Sequence, residues 1–287
     1  MNHKSLSIVI PAKNEAESLK TLLPSLLENY TEAEIIIVDD GSSDSTEELC
    51  NKHNVICVRH LYSKGNGAAI KSGCRKASRE VIVFMDADGQ HTTEYISALI
   101  DEYDKGLDLV IGARDLKSHA SFGRLIANMV YNKFASYMVN QKVPDLTSGF
   151  RIVNREKFRE FLHLYPNGFS YPTTSTMAFY RSGYSVGFIP ISANKRVGKS
   201  HIQPLKDGVR FFLILFKVGT LFSPLKIFFP FSGFTFILGF SYYLYTYMVW
   251  ERFTNMSALL LISSILIFLI GLVSEQITML LYQKSNE

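Results

Sequence analysis

Along the first two thirds of the chain, short runs of consecutive apolar residues alternate with longer stretches whose apolar positions recur at helical spacing. Ser7-Ile8-Val9-Ile10, Ile35-Ile36-Ile37-Val38, Val55 to Val58, Val81 to Met85 and Leu109-Val110-Ile111 are too short for helices and rich in β-branched residues, so they are predicted strands. Leu19, Leu22, Leu23, Leu26 and Leu27 mark a helix from about Glu15 to Glu28. A second helix is expected to start at Asp44, with Glu47 completing a capping box, and a third runs from Gly67 to Ala77. Near-continuous apolar strands between helices predict an α/β fold, a mostly parallel sheet covered on both faces. In such sheets ligands gather beyond the carboxyl ends of the strands. Pro11, Asp39, Asp40, Asp86, Asp88 and Arg114 all fall just past predicted strand ends.

After Arg114 the pattern loosens. Phe122 to Val139 reads as an amphipathic helix, Thr147 to Arg151 as a turn into a short strand, Phe169 to Tyr180 as a helix, and Ser185 to Ala193 as extended. From Gln203 to Phe222 apolar residues alternate with Lys206, Arg210 and Lys217, as in a helix lying at a membrane surface. Two long apolar runs follow, about Ile227 to Trp250 and Ala258 to Leu281, each long enough to span a bilayer, with only Glu251 to Met256 between them. Tyr242, Tyr243, Tyr245, Tyr247 and Trp250 crowd the hairpin end like an interfacial belt. The expected organisation is an α/β domain over 1–200, a juxtamembrane segment over 201–224 and a transmembrane hairpin over 225–287.

Charge refines this picture. The net charge of +4 over 287 residues does not point to nucleic acid. Lys195, Arg196, Lys199, Lys206 and Arg210 cluster against Asp207 alone, and Lys284 follows the second span, so both termini are expected in the cytoplasm. Glu275, inside the second run near its cytoplasmic end, is expected to reach the interface beside Lys226. The three cysteines, Cys50, Cys57 and Cys74, lack CxxC spacing and fit neither a disulfide framework nor a zinc site. Met1 to Ser5 lead straight into a strand, so no leader peptide is expected.

The densest chemistry follows the strand Val81 to Met85. Asp86, Asp88 and Gln90 put oxygen-bearing side chains at alternate positions, on one side if the chain stays extended, and hard oxygen ligands suit Mg²⁺ or Mn²⁺ rather than zinc. The alternative is a plain turn in which Asp and Gly serve the backbone.

Val9-Ile10-Pro11-Ala12-Lys13-Asn14-Glu15, Val38-Asp39-Asp40-Gly41-Ser42-Ser43-Asp44 and Asp86-Ala87-Asp88-Gly89-Gln90-His91 resemble the opening signatures of family 2 glycosyltransferases of the GT-A fold. With Gly112-Ala113-Arg114, Ser148-Gly149-Phe150-Arg151 and Gly198-Lys199-Ser200, they are similar to the branch that glycosylates polyprenyl phosphates, typified by dolichol-phosphate mannose synthase. That resemblance implies an inverting transfer from a nucleotide sugar to a polyprenyl phosphate at the cytoplasmic face of the membrane. It implies a donor site of Pro11, Glu15, Asp39, Asp40, Lys64, Asn66, Gly67, Asp86 and Ala87, with the glycines of Lys64-Gly65-Asn66-Gly67 admitting phosphate or sugar to the backbone. Asp86, Asp88 and Gln90 would hold the cation. Arg114, Arg124, Arg151, Arg196 and Lys199 are the candidates for gripping the acceptor phosphate, since guanidinium binds phosphate as a bidentate fork. Catalytic weight falls on Asp88, Arg114 and Arg151. Self-association is one option for the assembly. The rival readings are a processive polysaccharide synthase, whose QxxRW motif is missing because the only tryptophan is Trp250, and a non-catalytic nucleotide-sugar-binding protein.

Overall fold

The structure, a computed structural model, describes residues 5–88, 93–114, 122–168, 170–192, 213 and 216–283, with side chains in the helix over 122–139 described from 128 onward. The chain divides into two compact units, Met1–His201 and Ile202–Glu287.

The first unit is built on a seven-stranded sheet. Its strands are β1 (Leu6–Ala12), β2 (Glu34–Asp39), β3 (Ile56–Arg59), β4 (Val81–Phe84), β5 (Leu109–Arg114), β6 (Arg151–Asn154) and β7 (Val186–Ile191), in the spatial order β3-β2-β1-β4-β6-β5-β7. The helices are α1 (Ala16–Asn29), α2 (Thr46–Lys52), α3 (Asn66–Lys76), α4 (Glu94–Tyr103), α5 (Phe122–Val139), α6 (Arg155–Glu160) and α7 (Tyr171–Arg181). Ile8, Ile10, Ile37, Val83 and Ile152 are fully buried in the main core, which explains why the strands read as unbroken apolar runs.

Pro11 does not end β1. The strand continues to Ala12, and Pro11 stands opposite Val38. Pairing with β4 stops at Val9–Phe84, so the missing proline N–H interrupts no ladder on that side.

One strand decides where the site forms. β6 runs antiparallel to both of its neighbours, with Arg151 opposite Phe84 of β4 and Ile111 of β5. The beginning of an antiparallel strand lies at the carboxyl ends of its parallel neighbours. The segment leading into β6 therefore meets the turns that follow β4 and β5.

In the second unit, α8 (Pro224–Trp250) and α9 (Asn255–Gln283) form a helical hairpin turned by Glu251 in the left-handed conformation, φ 53°. Both are long and apolar enough to cross a membrane, with mean hydropathies of 1.4 and 2.7. The contact is a seven-residue repeat of small residues: Ser232, Gly239 and Thr246 on α8, and Ser257, Ser264, Gly271 and Thr278 on α9, all buried. A Cβ on Gly239 would lie 2.8 Å from Leu260 Cβ, and one on Gly271 would lie 2.6 Å from Phe228 Cβ. Ser232 Oγ donates to Ser264 O at 2.8 Å. The Glu275 carboxylate accepts from Leu225 N at 3.2 Å, next in sequence to Lys226, in the first turn of α8, the end where a helix favours negative charge.

Candidate active site

The turns after β1, β2 and β3 are laced into one surface. Asn14 takes a positive φ of 56°, donates from its backbone N–H to Ser42 Oγ at 2.9 Å and accepts from Ser43 N at 2.9 Å. Asp44 is not the first residue of a capping box; its carboxylate accepts from Thr46 in its own turn and from Ala16 N of α1 at 2.9 Å. Glu47 instead pairs with Arg59. Glu15 sits at the N-cap of α1 with its carboxylate 3.3 Å from Ser18 Oγ. Gly41 has φ 72°, and a Cβ there would lie 2.8 Å from Ser63 N, so the β2 and β3 turns touch backbone to backbone.

Asp39 and Asp40 are both buried but differently employed. Asp39 Oδ1 accepts from Ser42 N at 2.8 Å, and its Oδ2 faces Arg59 Nε at 3.7 Å. Asp40 receives four donors on two oxygens: His60 Nδ1 at 2.7 Å, Ser63 Oγ at 2.7 Å, Lys64 N at 2.8 Å and Gly65 N at 2.9 Å. Burial opposes its charge, but His60 and the three donors from the following turn overcome that and hold its pKa down to about 2. A carboxylate offers about four lone-pair sites, so Asp40 has none left for a base or ribose. The contact expected from the nucleotide is taken by these donors within the chain.

The glycines after β3 also serve the chain itself. A Cβ on Gly67 would fall 2.0 Å from Pro166 O, and one on Gly65 would fall 2.5 Å from Asn167 O. Gly67 N donates to Gly168 O and Ala68 N to Asn167 O, both at 3.1 Å, while Lys71 Nζ holds Tyr165 O at 3.1 Å. The start of α3 is thus closed by the 165–168 segment, and the expected approach of phosphate to these backbone groups is replaced by a chain-to-chain contact. Lys64 is exposed, with its ammonium 5.6 Å from the Tyr62 ring centroid. Asn66 Oδ1 is buried and without a hydrogen-bond partner among the described residues.

Beyond β4, Asp86 and Asp88 are half-buried around buried Ala87. The segment before β6 meets them. A Cβ on Gly149 would lie 3.1 Å from Asp86 Oδ2 and 3.3 Å from Tyr171 OH, so only glycine leaves Asp86 its place. Tyr171 OH donates to Gly149 O at 3.2 Å; burial pushes the phenol up, and the Asp86 charge adds to the rise.

Arg114 comes in from β5 and is gripped by Asp145, which the sequence reading did not single out. Arg114 Nε is 2.8 Å from Asp145 Oδ2, Nη2 is 3.1 Å from Oδ1, and Nη2 also donates to Thr147 Oγ1 at 2.6 Å. Burial works against the Arg114 charge, but Asp145, with Asp86 and Asp88, more than compensates and raises its pKa. The same pairing draws the Asp145 carboxyl below its ordinary range against its own burial. One fork of Arg114 is therefore spent on Asp145, and the Nη1 edge has no hydrogen-bond partner among the described residues. Asp145 is itself held by α5, where Asn132 Oδ1 accepts from Leu146 N at 3.0 Å. A carboxylate three residues before Ser148-Gly149-Phe150-Arg151 was the available signal.

Arg151 does not face an acceptor. It is fully buried, and Nη1 donates to Pro172 O at 3.1 Å, Ser175 Oγ at 2.6 Å and Thr176 Oγ1 at 3.3 Å, while Nη2 donates to Ser148 O. Its guanidinium lies 5.7 Å from the Tyr171 ring centroid. Burial lowers its pKa, and with its Nη1 and Nη2 atoms donating to this chain it ties β6 to α7 behind Asp86 rather than gripping phosphate. Gln90, Arg196, Lys199 and the side chain of Arg124 lie outside the described residues.

Among the described residues no cluster of three or more His, Cys, Asp or Glu forms a closed metal cage. The donor set still fits a hard divalent cation: Mg²⁺ is commonly bound through one or two carboxylates, with substrate phosphates and water completing the shell.

Against known proteins, residues 7–162 match the model of Glycosyl transferase family 2, and residues 223–280 match that of the GtrB C-terminal hairpin. The chain is 30% identical over 204 residues to the polyprenol monophosphomannose synthase of Mycolicibacterium smegmatis, covering 66% of this chain and 77% of that one. It is 27% identical over 207 residues to the dolichyl-phosphate hexose transferase of Haloferax volcanii, covering 71% and 89%. Glucosyl-3-phosphoglycerate synthase from Mycobacterium tuberculosis, solved with phosphoglyceric acid, superposes with a TM-score of 0.59 at 19% identity, over 75% of this chain and 79% of that one. That likeness shows the GT-A fold. The protein is a glycosyltransferase of family 2, a GT-A domain followed by a GtrB-type hairpin.

Proposed function

We propose that the protein transfers a sugar from a UDP- or GDP-linked donor to the phosphate of a polyprenyl phosphate, undecaprenyl or dolichyl, with inversion at the anomeric carbon. The observation that carries this reading is the meeting of Asp86 and Asp88 with the Asp145-held Arg114 at the carboxyl ends of β4 and β5, joined by the segment that leads into β6, acids for the donor beside a cation for the acceptor. Relatives named for polyprenol and dolichyl phosphate, covered over most of their length, support the acceptor class.

The chemistry follows from charge. A phosphate monoester has a second pKa near 6 and is mostly dianionic at neutral pH, so its oxygen attacks the anomeric carbon without a dedicated base. The bond from that carbon to the nucleoside diphosphate breaks, and the diphosphate leaves with the electron pair. Asp86 and Asp88 would hold a divalent cation, Mg²⁺ or Mn²⁺, which would supply neutralisation of the leaving diphosphate. Asp39, with hydrogen-bonding capacity left, serves the nucleotide from the β2 turn, alongside Pro11 and Glu15. Arg114 offers its Nη1 edge to the acceptor phosphate, and Gly149 keeps Asp86 in position. Positioning and fixed charge supply the acceleration.

The two apolar helices hold the catalytic domain at the bilayer, where a polyprenyl phosphate keeps its headgroup. The basic segment before the first span puts the domain and both termini on the cytoplasmic side. The division into a domain over 1–200, a juxtamembrane segment over 201–224 and a hairpin over 225–287 belongs to the same reading.

The test is incubation of membranes containing the protein with polyprenyl phosphate, Mn²⁺ and a panel of radiolabelled UDP- and GDP-sugars. A chloroform-soluble, acid-labile product from one donor is expected; label that stays in the aqueous phase for every donor would refute the proposal.

A further inference from the structure

His60 is buried and takes no part in the chemistry above, yet both of its ring nitrogens are engaged. Nδ1 lies 2.7 Å from Asp40 Oδ1, and Nε2 lies 2.8 Å from Ser72 Oγ on α3. A carboxylate can only accept, so the proton belongs on Nδ1 and the tautomer is fixed. The order carboxylate, imidazole, hydroxyl is that of a nucleophilic triad, but Ser72 stands inside α3, where backbone N–H groups are spent on the helix and offer no oxyanion site.

The network leads elsewhere. The other three donors to Asp40 come from Ser63, Lys64 and Gly65, and the first of them, with Tyr62 before it, packs backbone to backbone against Gly41 in the turn that follows Asp39. We propose that His60 is a positioning residue for the nucleotide donor: clamped between Asp40 and Ser72, it fixes the Ser63–Gly65 strap and thereby the Asp39 edge that receives the nucleotide. This rests on the donor reading above. His60 touches no substrate, so its loss weakens nucleotide binding and leaves the chemical step alone.

The experiment uses the full-length protein in detergent with His60→Asn, His60→Gln and Ser72→Ala. The Asn amide nitrogen falls near the position of Nδ1 and can still donate to Asp40, whereas the Gln nitrogen falls near Nε2 and cannot. Affinity for UDP and for GDP, each with Mn²⁺, is measured by calorimetry, alongside donor KM, lipid KM and kcat. For His60→Gln we expect about a tenfold loss of nucleotide affinity and a matching rise in donor KM, with kcat and lipid KM within about twofold, on the scale of one lost charge-assisted hydrogen bond. His60→Asn should stay near wild type. Equal behaviour of Asn and Gln, or a loss in kcat instead of donor binding, overturns the proposal, because space-filling alone would not separate the two amides. If His60→Gln fails to fold, Ser72→Ala carries the test, with about a threefold loss expected on the scale of one neutral hydrogen bond; no loss overturns it. Nucleotide affinity reads His60 whether or not transfer is found, so the transferase reading and this one can fail separately; a wild type that binds neither nucleotide sinks both.

Discussion

Replacing Asp145 by alanine tests the arrangement around Arg114. The carboxylate accepts from Arg114 Nε, Nη2 and backbone N, and from Thr147 N and Oγ1. With Asp145 gone, a guanidinium whose side chain is only 25% exposed loses its counter-charge. Breaking a buried pair by removing one partner costs about 3–5 kcal/mol, and the partial exposure of Arg114 puts this case near 3. For a unit of this size, where 1 kcal/mol moves the melting point by about 2–4 °C, the shift should be about 6–12 °C. Arg114 also loses its aim at the Asp86–Asp88 end, and a misplaced catalytic group costs on the order of a hundredfold in rate. Thermal melting in detergent by circular dichroism reads the first effect and initial rates at saturating donor read the second. Asp145→Asn, which keeps an acceptor for Thr147 but not the charge, should fall between alanine and wild type. An Asp145→Ala protein that melts within about 1 °C of wild type and transfers at the normal rate would show that Arg114 needs no partner and that this part of the site is misread.

Three further outcomes follow from the geometry. Gly149→Ala places a methyl 3.1 Å from Asp86 Oδ2; the carboxylate must shift by a few tenths of an ångström, and the Mn²⁺ concentration for half-maximal rate should rise about tenfold while the lipid requirement stays unchanged. Arg151→Ala should destabilise the fold by about 3 kcal/mol or more in chemical denaturation, through buried acceptors left unpaired, rather than selectively raise the lipid KM; a stable variant with only an acceptor defect would restore a direct phosphate contact. Asp40 has a folded pKa of about 2 against an ordinary 3.8, so its contribution is complete above about pH 4 and is lost as the pH falls toward 2. Denaturation midpoints followed over that window should drop more steeply for wild type than for Asp40→Asn, and parallel profiles would contradict the Asp40 network.

The parallel half of the fold was legible because each strand there is a short run of β-branched residues ending in a polar turn, and burial on both faces enforces that pattern. The direction of β6 was not, since Arg151-Ile152-Val153-Asn154 would look the same in either orientation. That direction brings Gly149 to Asp86 and Asp145 to Arg114, so the acceptor half of the site could not be assembled from spacing. Helices α4 and α6 went unseen because α6 is only six residues and α4 lies behind the motif that drew attention. Asp39 and Asp40 look equivalent in sequence; His60, twenty residues away, makes one a hub and leaves the other with capacity to spare. Gly65 and Gly67 announced a close approach but not what approaches. The seven-residue recurrence of Ser232, Gly239 and Thr246, which forms the packing seam of the hairpin, was hidden in an apolar run that the sequence marked only by its length.

Mn²⁺ titration of transfer by wild type and Asp88→Ala, both purified in detergent with the same nucleotide sugar and polyprenyl phosphate, decides whether the acids after β4 form a cation site. The wild type should saturate with Mn²⁺ and lose activity on chelation, while Asp88→Ala, folded and still membrane-bound on expression, should form no chloroform-soluble product at any Mn²⁺ concentration. Full transfer by Asp88→Ala with an unchanged Mn²⁺ midpoint would contradict the assignment of the metal to Asp86 and Asp88.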